Sequence, residues 1–477
     1  MFHKNATKLF YSAIFAILML PGFSFAQAVG VGQWQIHLPY RNAIEAVEAG
    51  DRIYCATGSA VFYYSKSDNA LTRLSKVTGL SDVGVSAIGY RPAGDILAIA
   101  YNNSNLDLVF GSSIVNIPDI KMKNIPGNKK INHIAFINGL AYLSSGFGIV
   151  VLDVDKMEIK DTYYITSAQD EVNQVVLFND TLYACSAAGL YKAPLSNANL
   201  SDFNSWLPVS ALPSGVYNTM AAGGGKLYAN QSNNPADSID NDTVYVYENN
   251  SWSYFDTVLT KTVHRLEYTY NKLIMTGKKA VYVYNAAGQL QTTYSNLVDP
   301  LHATEDIESN VWIADNYKGL IKNSAGWGVY PSGPETNKVY AVAAGQGDIW
   351  MVSGGKTGPW GNSFIAGGIS SYIDNKWSTI DYSQLNSAYD LVKIVVDSND
   401  KDRIFAGSWG NGVVEIYKSK LQTVYRENNT DSALQSATIP GENSIRISGL
   451  AFDQAGNLWV TLTEVDNLLC VRQPNGS

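Results

Sequence analysis

The chain has few of the residues from which metal centres, disulfide frameworks and catalytic sites are built. It holds three cysteines and five histidines in 477 residues, and only 16% of its residues are charged. The odd number and wide spacing of Cys55, Cys185 and Cys470 do not predict a disulfide framework, so each is expected to be a small buried side chain. No histidines stand at a spacing typical of metal ligands, and we expect no metal and no cofactor.

Catalytic motifs are also missing. The sequence contains neither Gly-x-Ser-x-Gly nor His-Glu-x-x-His. The run Gly223-Gly224-Gly225 is not followed by a helical pattern, which favours a hairpin turn over a phosphate-binding loop. A hydrolase or lyase would need convergent carboxylates or a His–Tyr pair, which the sequence does not show. We therefore expect no catalytic residues and a protein that is not an enzyme.

Long apolar runs and a basic charge balance are absent after the N-terminus. No run beyond residue 26 approaches the ~20 residues of a transmembrane helix, and the net charge of −8 does not favour nucleic acid. Residues 1–26 are typical of a signal peptide, because two lysines and a histidine precede the apolar run Leu9–Leu20 and a small-x-small site, Ser24-Phe25-Ala26. The mature chain is expected to start near Gln27, to be exported, and to work between the periplasm and the outer-membrane surface.

Aromatic residues and glycine are abundant, with 30 tyrosines and 40 glycines. The segment Ile131–Thr166 shows how they are used: Asn138-Gly139, a strong hairpin signal, joins two apolar runs, and two further short runs follow. Four short antiparallel strands in one such segment predict a blade of a β-propeller, which must stack against other blades to bury both faces.

The same unit recurs along the chain with a mean step of about 43 residues. A large apolar residue, usually aromatic, marks the second strand of each repeat. A β-sandwich has no reason to repeat such a residue at one position, so we expect an all-β fold: a seven-bladed β-propeller followed by an incomplete second propeller. The marker residues are Tyr54, Leu97, Tyr142, Tyr183, Tyr228, Ile274, Trp312, Trp350, Phe405 and Trp459.

The repeats divide the chain into two rings. Residues 27–334 are expected to form the first propeller, with Pro331–Pro334 as the linker, and residues 335–477 the first three blades of a second, truncated one. Three blades cannot close a ring, so the native chain is expected to continue. The segment Gln33–Leu38 resembles several predicted fourth strands, and we expect it to be an outer strand donated to a last blade.

Three groups of residues are candidate ligand-binding sites. The first is the lysine loop, Asp119–Lys130, which could meet an anionic glycan or phosphate; the alternative is that its lysines are only solvated. The second is a set of polar residues that lead the first strands, which would line either a ligand site or a hydrated channel. The third comprises two long insertions, Asn230–Asp242 and Gly354–Gly368, of which the second carries aromatic residues that could stack on sugar rings or pack on their own blade. The candidate residues are Lys121, Lys123, Lys129, Lys130, Asn132, His133, Asn173, His264, Arg265, His302, Trp360 and Phe364.

Particular stretches resemble known families. The hairpin Ala451–Val460 resembles the propeller repeat of two-component regulators and the Asp-box, a structural hairpin. More specific stretches resemble the PorZ-type surface components of the type IX (Por) secretion system. They are Trp34–Ala43, Gly79–Asp82 with Val85–Ile88, Asp119–Lys123, Tyr142–Val151 and Asp161–Ile165.

The PorZ-type resemblance implies two seven-bladed propellers and a C-terminal β-sandwich sorting domain at the outer-membrane surface. Proteins of this type work with a sortase, PorU, an outer-membrane barrel, PorV, and PorQ, which together attach exported cargo to anionic lipopolysaccharide. The implied function is to bind and present that lipopolysaccharide, without protease activity. The alternative is an extracytoplasmic carbohydrate-sensing propeller of a hybrid two-component regulator, which would need a membrane span and a kinase region downstream.

Overall fold

The computed structural model describes residues 34–233, 241–255, 262–323, 326, 328–345, 347–437 and 444–475. The predicted signal peptide, Trp327 and the middle of the Asn230–Asp242 insertion lie outside these residues. The chain divides into two units, Met1–Ile36 and His37–Ser477; residues 34–36 of the first unit form no regular element. No helix among the described residues is both long and apolar enough to cross a membrane.

The described residues of the second unit form ten antiparallel sheets, numbered here in chain order. Within each sheet the strands follow one another in sequence order, as a meander. Sheets 7 and 10 have three strands and the others have four. The strands of sheets 1 to 4 are β1 Ala43–Ala49, β2 Arg52–Thr57, β3 Val61–Ser65, β4 Leu71–Leu74; β5 Val85–Arg91, β6 Ile96–Tyr101, β7 Leu106–Phe110, β8 Ser113–Ile117; β9 Ile131–Ile137, β10 Leu140–Ser145, β11 Gly148–Asp153, β12 Glu158–Tyr163; and β13 Val172–Phe178, β14 Thr181–Ser186, β15 Gly189–Pro194, β16 Leu207–Pro208.

The strands of sheets 5 to 7 are β17 Val216–Gly223, β18 Lys226–Ser232, β19 Thr243–Glu248, β20 Ser251–Tyr254; β21 Val263–Thr269, β22 Lys272–Gly277, β23 Val281–Asn285, β24 Leu290–Tyr294; and β25 Pro300–Glu305, β26 Val311–Asp315, β27 Gly319–Lys322. Those of sheets 8 to 10 are β28 Ala341–Gly345, β29 Asp348–Val352, β30 Ile369–Ile373, β31 Lys376–Ile380; β32 Leu391–Val396, β33 Arg403–Ser408, β34 Gly412–Tyr417, β35 Lys420–Tyr425; and β36 Ile447–Phe452, β37 Leu458–Leu462, β38 Leu469–Arg472. The short helices are α1 Asp119–Met122 and the 3-10 turns Lys76–Thr78, Phe203–Ser205, Tyr382–Gln384 and Glu427–Asn429.

The local sequence pattern predicts these sheets well. All ten marker residues, from Tyr54 to Trp459, lie in the second strand of their sheet. The turn residues Asn138 and Gly139 both have positive φ, 49° and 85°, as a two-residue hairpin between right-twisted strands requires. The predicted all-β propeller fold is confirmed.

Apolar side chains fill the spaces between consecutive sheets. One cluster lies between each pair of neighbours from sheet 1 to sheet 7. A further cluster joins Trp312 and Leu320 of sheet 7 to Ile53 and Phe62 of sheet 1, and β25 contacts β1. The first strand of each sheet from 1 to 7 therefore contacts the first strand of the next sheet, and the first strand of sheet 7 contacts that of sheet 1. Two other clusters join sheets 8 to 9 and 9 to 10.

The expected outer strand at Gln33–Leu38 is wrong, since residues 34–40 form no strand. The position beside β27 is taken by Val329, which exchanges backbone hydrogen bonds of 2.8 and 3.2 Å with Leu320. Tyr40 is instead buried with its ring 6.1 Å from that of Phe62. His37 Nδ1 accepts a hydrogen bond of 2.9 Å from Trp377 Nε1, which places His37 against sheet 8.

The cysteines are free thiols. Cys55 and Cys185 are fully buried in second strands, as predicted. Burial raises the pKa of both thiols, that of Cys185 to about 12. Because thiolate is the reactive form, neither residue is a nucleophile at neutral pH. Cys470 is only half-buried and donates to the carbonyl of Ala433.

Candidate functional site

A layer of equivalent residues surrounds the axis of the first seven sheets. Each first strand there has a β-bulge, which turns the next side chain out of the regular alternation. The residues that follow the bulges form what we call the axial layer. They are Glu45, Ala87, His133, Gln174, Thr219, Arg265 and His302.

Four residues of the axial layer accept a hydrogen bond from the backbone of the next sheet. These bonds satisfy backbone N–H groups that would otherwise face the channel, and they tie each first strand to its neighbour. The bonds are Ile88 N to Glu45 Oε2 at 2.8 Å, Met220 N to Gln174 Oε1 at 2.9 Å, Leu266 N to Thr219 Oγ1 at 2.9 Å and Ala46 N to His302 Nδ1 at 3.3 Å.

Arg265 departs from this pattern because a guanidinium cannot accept a hydrogen bond. It reaches past sheet 7 and donates to Glu45 Oε1 at 2.9 Å, and both side chains are largely buried. Two residues further along the same strand, Glu267 accepts hydrogen bonds from His302 Nε2 and from Thr304 Oγ1, each at 2.9 Å. Burial would raise the pKa of Glu267, but His302 and Arg265 outweigh it and the pKa is lowered. The result is a charged network shared by sheets 1, 6 and 7.

His133 also departs from the pattern, since its Nδ1 is buried and has no hydrogen-bond partner among the described residues. Burial and the nearby Arg265 lower its pKa well below the ordinary value, so the ring is neutral. It lies between two cavities of about 370 and 240 Å³ along the channel. The structure thus brings the predicted His133, Arg265 and His302 together.

Four of the seven residues at the bulges themselves bind the neighbouring sheet. Asn132, Asn173, Asn218 and His264 each hydrogen-bond a carbonyl at the start of the next first strand, at 2.7–3.0 Å. For His264, which was predicted near the channel mouth, this contact with Pro300 is a structural role.

The lysine loop contains α1, and two of its four predicted lysines are engaged by the protein. Lys129 Nζ donates to the carbonyls of Ile120, Lys121 and Lys123 at 2.9–3.0 Å, which caps the C-terminal end of α1. Lys121 forms an ion pair of 2.8 Å with Asp82. Lys123 and Lys130 are exposed and have no carboxylate partner among the described residues, so they are the two lysines available to a ligand.

The Asp82 contact should make this loop sensitive to acid. Burial tends to raise the pKa of Asp82, but hydrogen bonds from Lys121 and Asn103 prevail and lower it to about 2. A lowered folded-state pKa stabilises the protein at pH values above the unfolded-state pKa of about 4, and this stabilisation is lost as the pH falls towards 2. We expect Asp82→Asn to reduce the loss of thermal stability between pH 4.5 and 2.5. An unchanged pH profile of the melting temperature would contradict this assignment.

An apolar cavity of about 440 Å³ lies between α1 and sheet 3. Ile120, Phe147, Val150 and Tyr164 line it, together with one acidic and one basic residue, Asp119 and Lys123. An apolar hollow next to an unpaired cation is suited to an amphipathic anionic ligand.

The second predicted insertion, Gly354–Gly368, packs against sheet 9. Trp360 and Phe364 remain exposed although their rings lie 5.6 and 5.2 Å from those of Trp409 and Tyr389. No group of three or more His, Cys, Asp or Glu residues in the described part of the chain could hold a metal ion.

Sequence reasoning missed Glu45, Gln174, Thr219 and Glu267. Three of these occupy the same strand position as His133 and Arg265, so an alignment of all first strands would have found them. Their partners, however, lie one or more blades away, which no local pattern indicates.

The stacked meander sheets around a polar axis define a β-propeller protein. Within that class, residues 53–207 match the family model described as the PorZ N-terminal β-propeller domain of the type IX secretion system. The expected PorZ-type resemblance is therefore confirmed over these residues. No curated protein matches the chain.

A solved structure supports the same fold. PorZ of Porphyromonas gingivalis, described as an essential bacterial surface component of the type IX secretion system, aligns with a TM-score of 0.79 and 24% identity over 93% of this chain. The chain spans 59% of the length of that protein. The extracellular domain of a one-component system from B. thetaiotaomicron (TM-score 0.44, 11% identity, 92% of this chain and 66% of that one) and the WD40 propeller of Doa1 (TM-score 0.47, 10% identity, 60% and 93%) are more distant.

Proposed function

We propose that this protein is a non-enzymatic, extracytoplasmic component of a type IX secretion system that binds and presents anionic lipopolysaccharide. The PorZ family match over residues 53–207 carries the proposal. The matched segment contains the lysine loop, where Lys123 and Lys130 are exposed and Lys123 lines the apolar cavity. This combination of cation and hollow suits the head group and adjoining apolar part of an anionic glycolipid.

The proposed domain division is 27–334 for a first, seven-bladed propeller and 335–477 for three blades of a second one. Its support is the contact of β25 with β1, which joins sheet 7 to sheet 1, and the separate clusters of sheets 8 to 10. The first propeller then presents the glycolipid, and the remaining rims are free to dock PorU, PorV and PorQ at the outer-membrane surface.

The glycolipid proposal is tested with Lys123→Ala/Lys130→Ala. Each lysine near an anionic surface contributes about 1 kcal/mol, so the double variant should bind anionic lipopolysaccharide roughly thirtyfold more weakly at low salt. The difference should shrink at 0.5 M salt, because exposed charges are screened. Binding is measured by surface plasmon resonance on immobilised lipopolysaccharide.

The matched control is Lys376→Ala/Lys420→Ala, which removes the same charge from two exposed positions in sheets 8 and 9. It should bind as the wild type does. Equal affinity of the two double variants would eliminate the lysine loop as the site, and absence of binding by the wild type would eliminate the function.

A further inference from the structure

The insertion Gly354–Gly368, called here the aromatic loop, exposes two aromatic side chains to solvent. Trp360 is 49% exposed and Phe364 is 70% exposed. Their φ angles are 68° and 54°, in the left-handed region that bulky residues rarely adopt. Such strain persists only where surrounding contacts impose it, and it often accompanies a binding role.

A buried carboxylate holds the backbone at Phe364 in this conformation, and a tryptophan side chain holds that at Trp360. Asp390 is fully buried and accepts hydrogen bonds from three successive backbone N–H groups, those of Ser363, Phe364 and Ile365, at 2.8–2.9 Å. Trp409 Nε1 donates to the carbonyl of Trp360 at 2.8 Å. The two rings are therefore held in position before any ligand arrives, which lowers the entropy cost of binding.

A cation accompanies the rings. Lys356 Nζ lies 3.9 Å from the ring centroid of Trp360 and 4.7 Å from that of Trp409, positions that favour an ammonium group over an aromatic face. Lys356 has no carboxylate partner in the part of the chain that the structure describes. Its charge is thus available to an anion that approaches the exposed rings.

We propose that the aromatic loop binds an acidic sugar. The C–H face of a pyranose ring packs on Trp360 and Phe364, and a carboxylate or phosphate on that sugar pairs with Lys356. The small polar residues of the loop, Thr357 and Ser363, are suited to contacts with hydroxyl groups. A protein partner would need about 800 Å² of complementary surface, and two rings among glycines and small polar residues offer little of it.

This site goes beyond the proposed function, since it lies in sheets 8 and 9 and does not use the lysine loop. The experiment is calorimetric titration of the full chain with three soluble, lipid-free polysaccharides: polygalacturonate, a phosphomannan and neutral mannan. We expect binding to at least one acidic polymer and at least tenfold weaker binding to mannan. The first two polymers distinguish a carboxylate from a phosphate ligand.

Single substitutions then assign the contacts. Trp360→Ala and Phe364→Ala should each weaken binding at least tenfold, while Trp360→Phe, which keeps a ring, should retain most of it. Lys356→Met should abolish the preference for acidic over neutral polymer. Tyr254→Ala is the matched control, because Tyr254 is 63% exposed and packs on another ring, that of Tyr245; it should bind as the wild type does.

Three results would overturn the proposal: no binding to either acidic polymer, equal binding to mannan, or wild-type affinity in both alanine variants. Lys123→Ala/Lys130→Ala should bind the acidic polymer normally. Failure of the glycolipid proposal would therefore leave this result unchanged, and failure here would leave the lysine loop unaffected.

Discussion

Trp312→Ala is expected to destabilise the protein by about 3–5 kcal/mol, the usual cost of removing a fully buried tryptophan. Trp312 is 1% exposed and lies in the cluster that joins sheet 7 to sheet 1. Its Nε1 also donates to Asp306 Oδ2 at 2.8 Å. The substitution leaves a cavity at the interface between sheets 7 and 1. It also removes one hydrogen-bond donor from the buried carboxylate of Asp306. The shift is measured as the denaturation midpoint in guanidinium chloride by far-ultraviolet circular dichroism.

The chain contains a matched control for this experiment in sheet 10. Asp453, Asn457 and Trp459 repeat the spacing of Asp306, Asn310 and Trp312, and Trp459 Nε1 donates to Asp453 Oδ2 at 2.9 Å. Trp459, however, is 38% exposed. Trp459→Ala should therefore cost less than half as much as Trp312→Ala. Equal shifts of the denaturation midpoint in the two variants would mean that the loss of stability comes from the shared Asp–Asn–Trp hairpin and not from the packing between sheets 7 and 1.

Arg265→Met is the second change with a large expected effect. It removes the cation that pairs with Glu45 and leaves a buried carboxylate without its counter-charge. Breaking such a pair costs about 3–5 kcal/mol, whereas replacing both partners by uncharged residues is often nearly neutral. The double variant Glu45→Gln/Arg265→Met should therefore recover most of the lost stability, because the amide oxygen of the introduced glutamine can still accept from Ile88 N.

The control for this pair is Lys226→Met. Lys226 forms an ion pair of 3.2 Å with Glu248, but that carboxylate is 40% exposed, and exposed pairs contribute only about 0–1 kcal/mol. Urea unfolding of the wild type and the three variants gives the comparison. The Arg265–Glu45 assignment fails if the single and the double variant are equally destabilised.

The sheets could be predicted from the sequence because residues close together in the chain determine each strand and each turn. Asn138-Gly139 specifies a hairpin through the φ angles that it allows, and the regular return of a large apolar residue indicates the second strand of each blade. The site was predicted less completely. His133, Arg265 and His302 were expected near one another, but Lys121 and Lys129 were grouped with Lys123 and Lys130 although the fold uses them differently.

The amino-acid sequence by itself determined the strands, the turns and the need for stacking, since an apolar two-faced sheet cannot remain alone in water. Only the tertiary structure decided which residues meet. Arg265 reaches Glu45 across 220 positions of chain, and Val329, not Gln33–Leu38, occupies the edge beside β27. The physical reason is that the residues of a strand determine only that its edges and apolar faces must be covered. Which residues cover them depends on how all the blades pack around the axis.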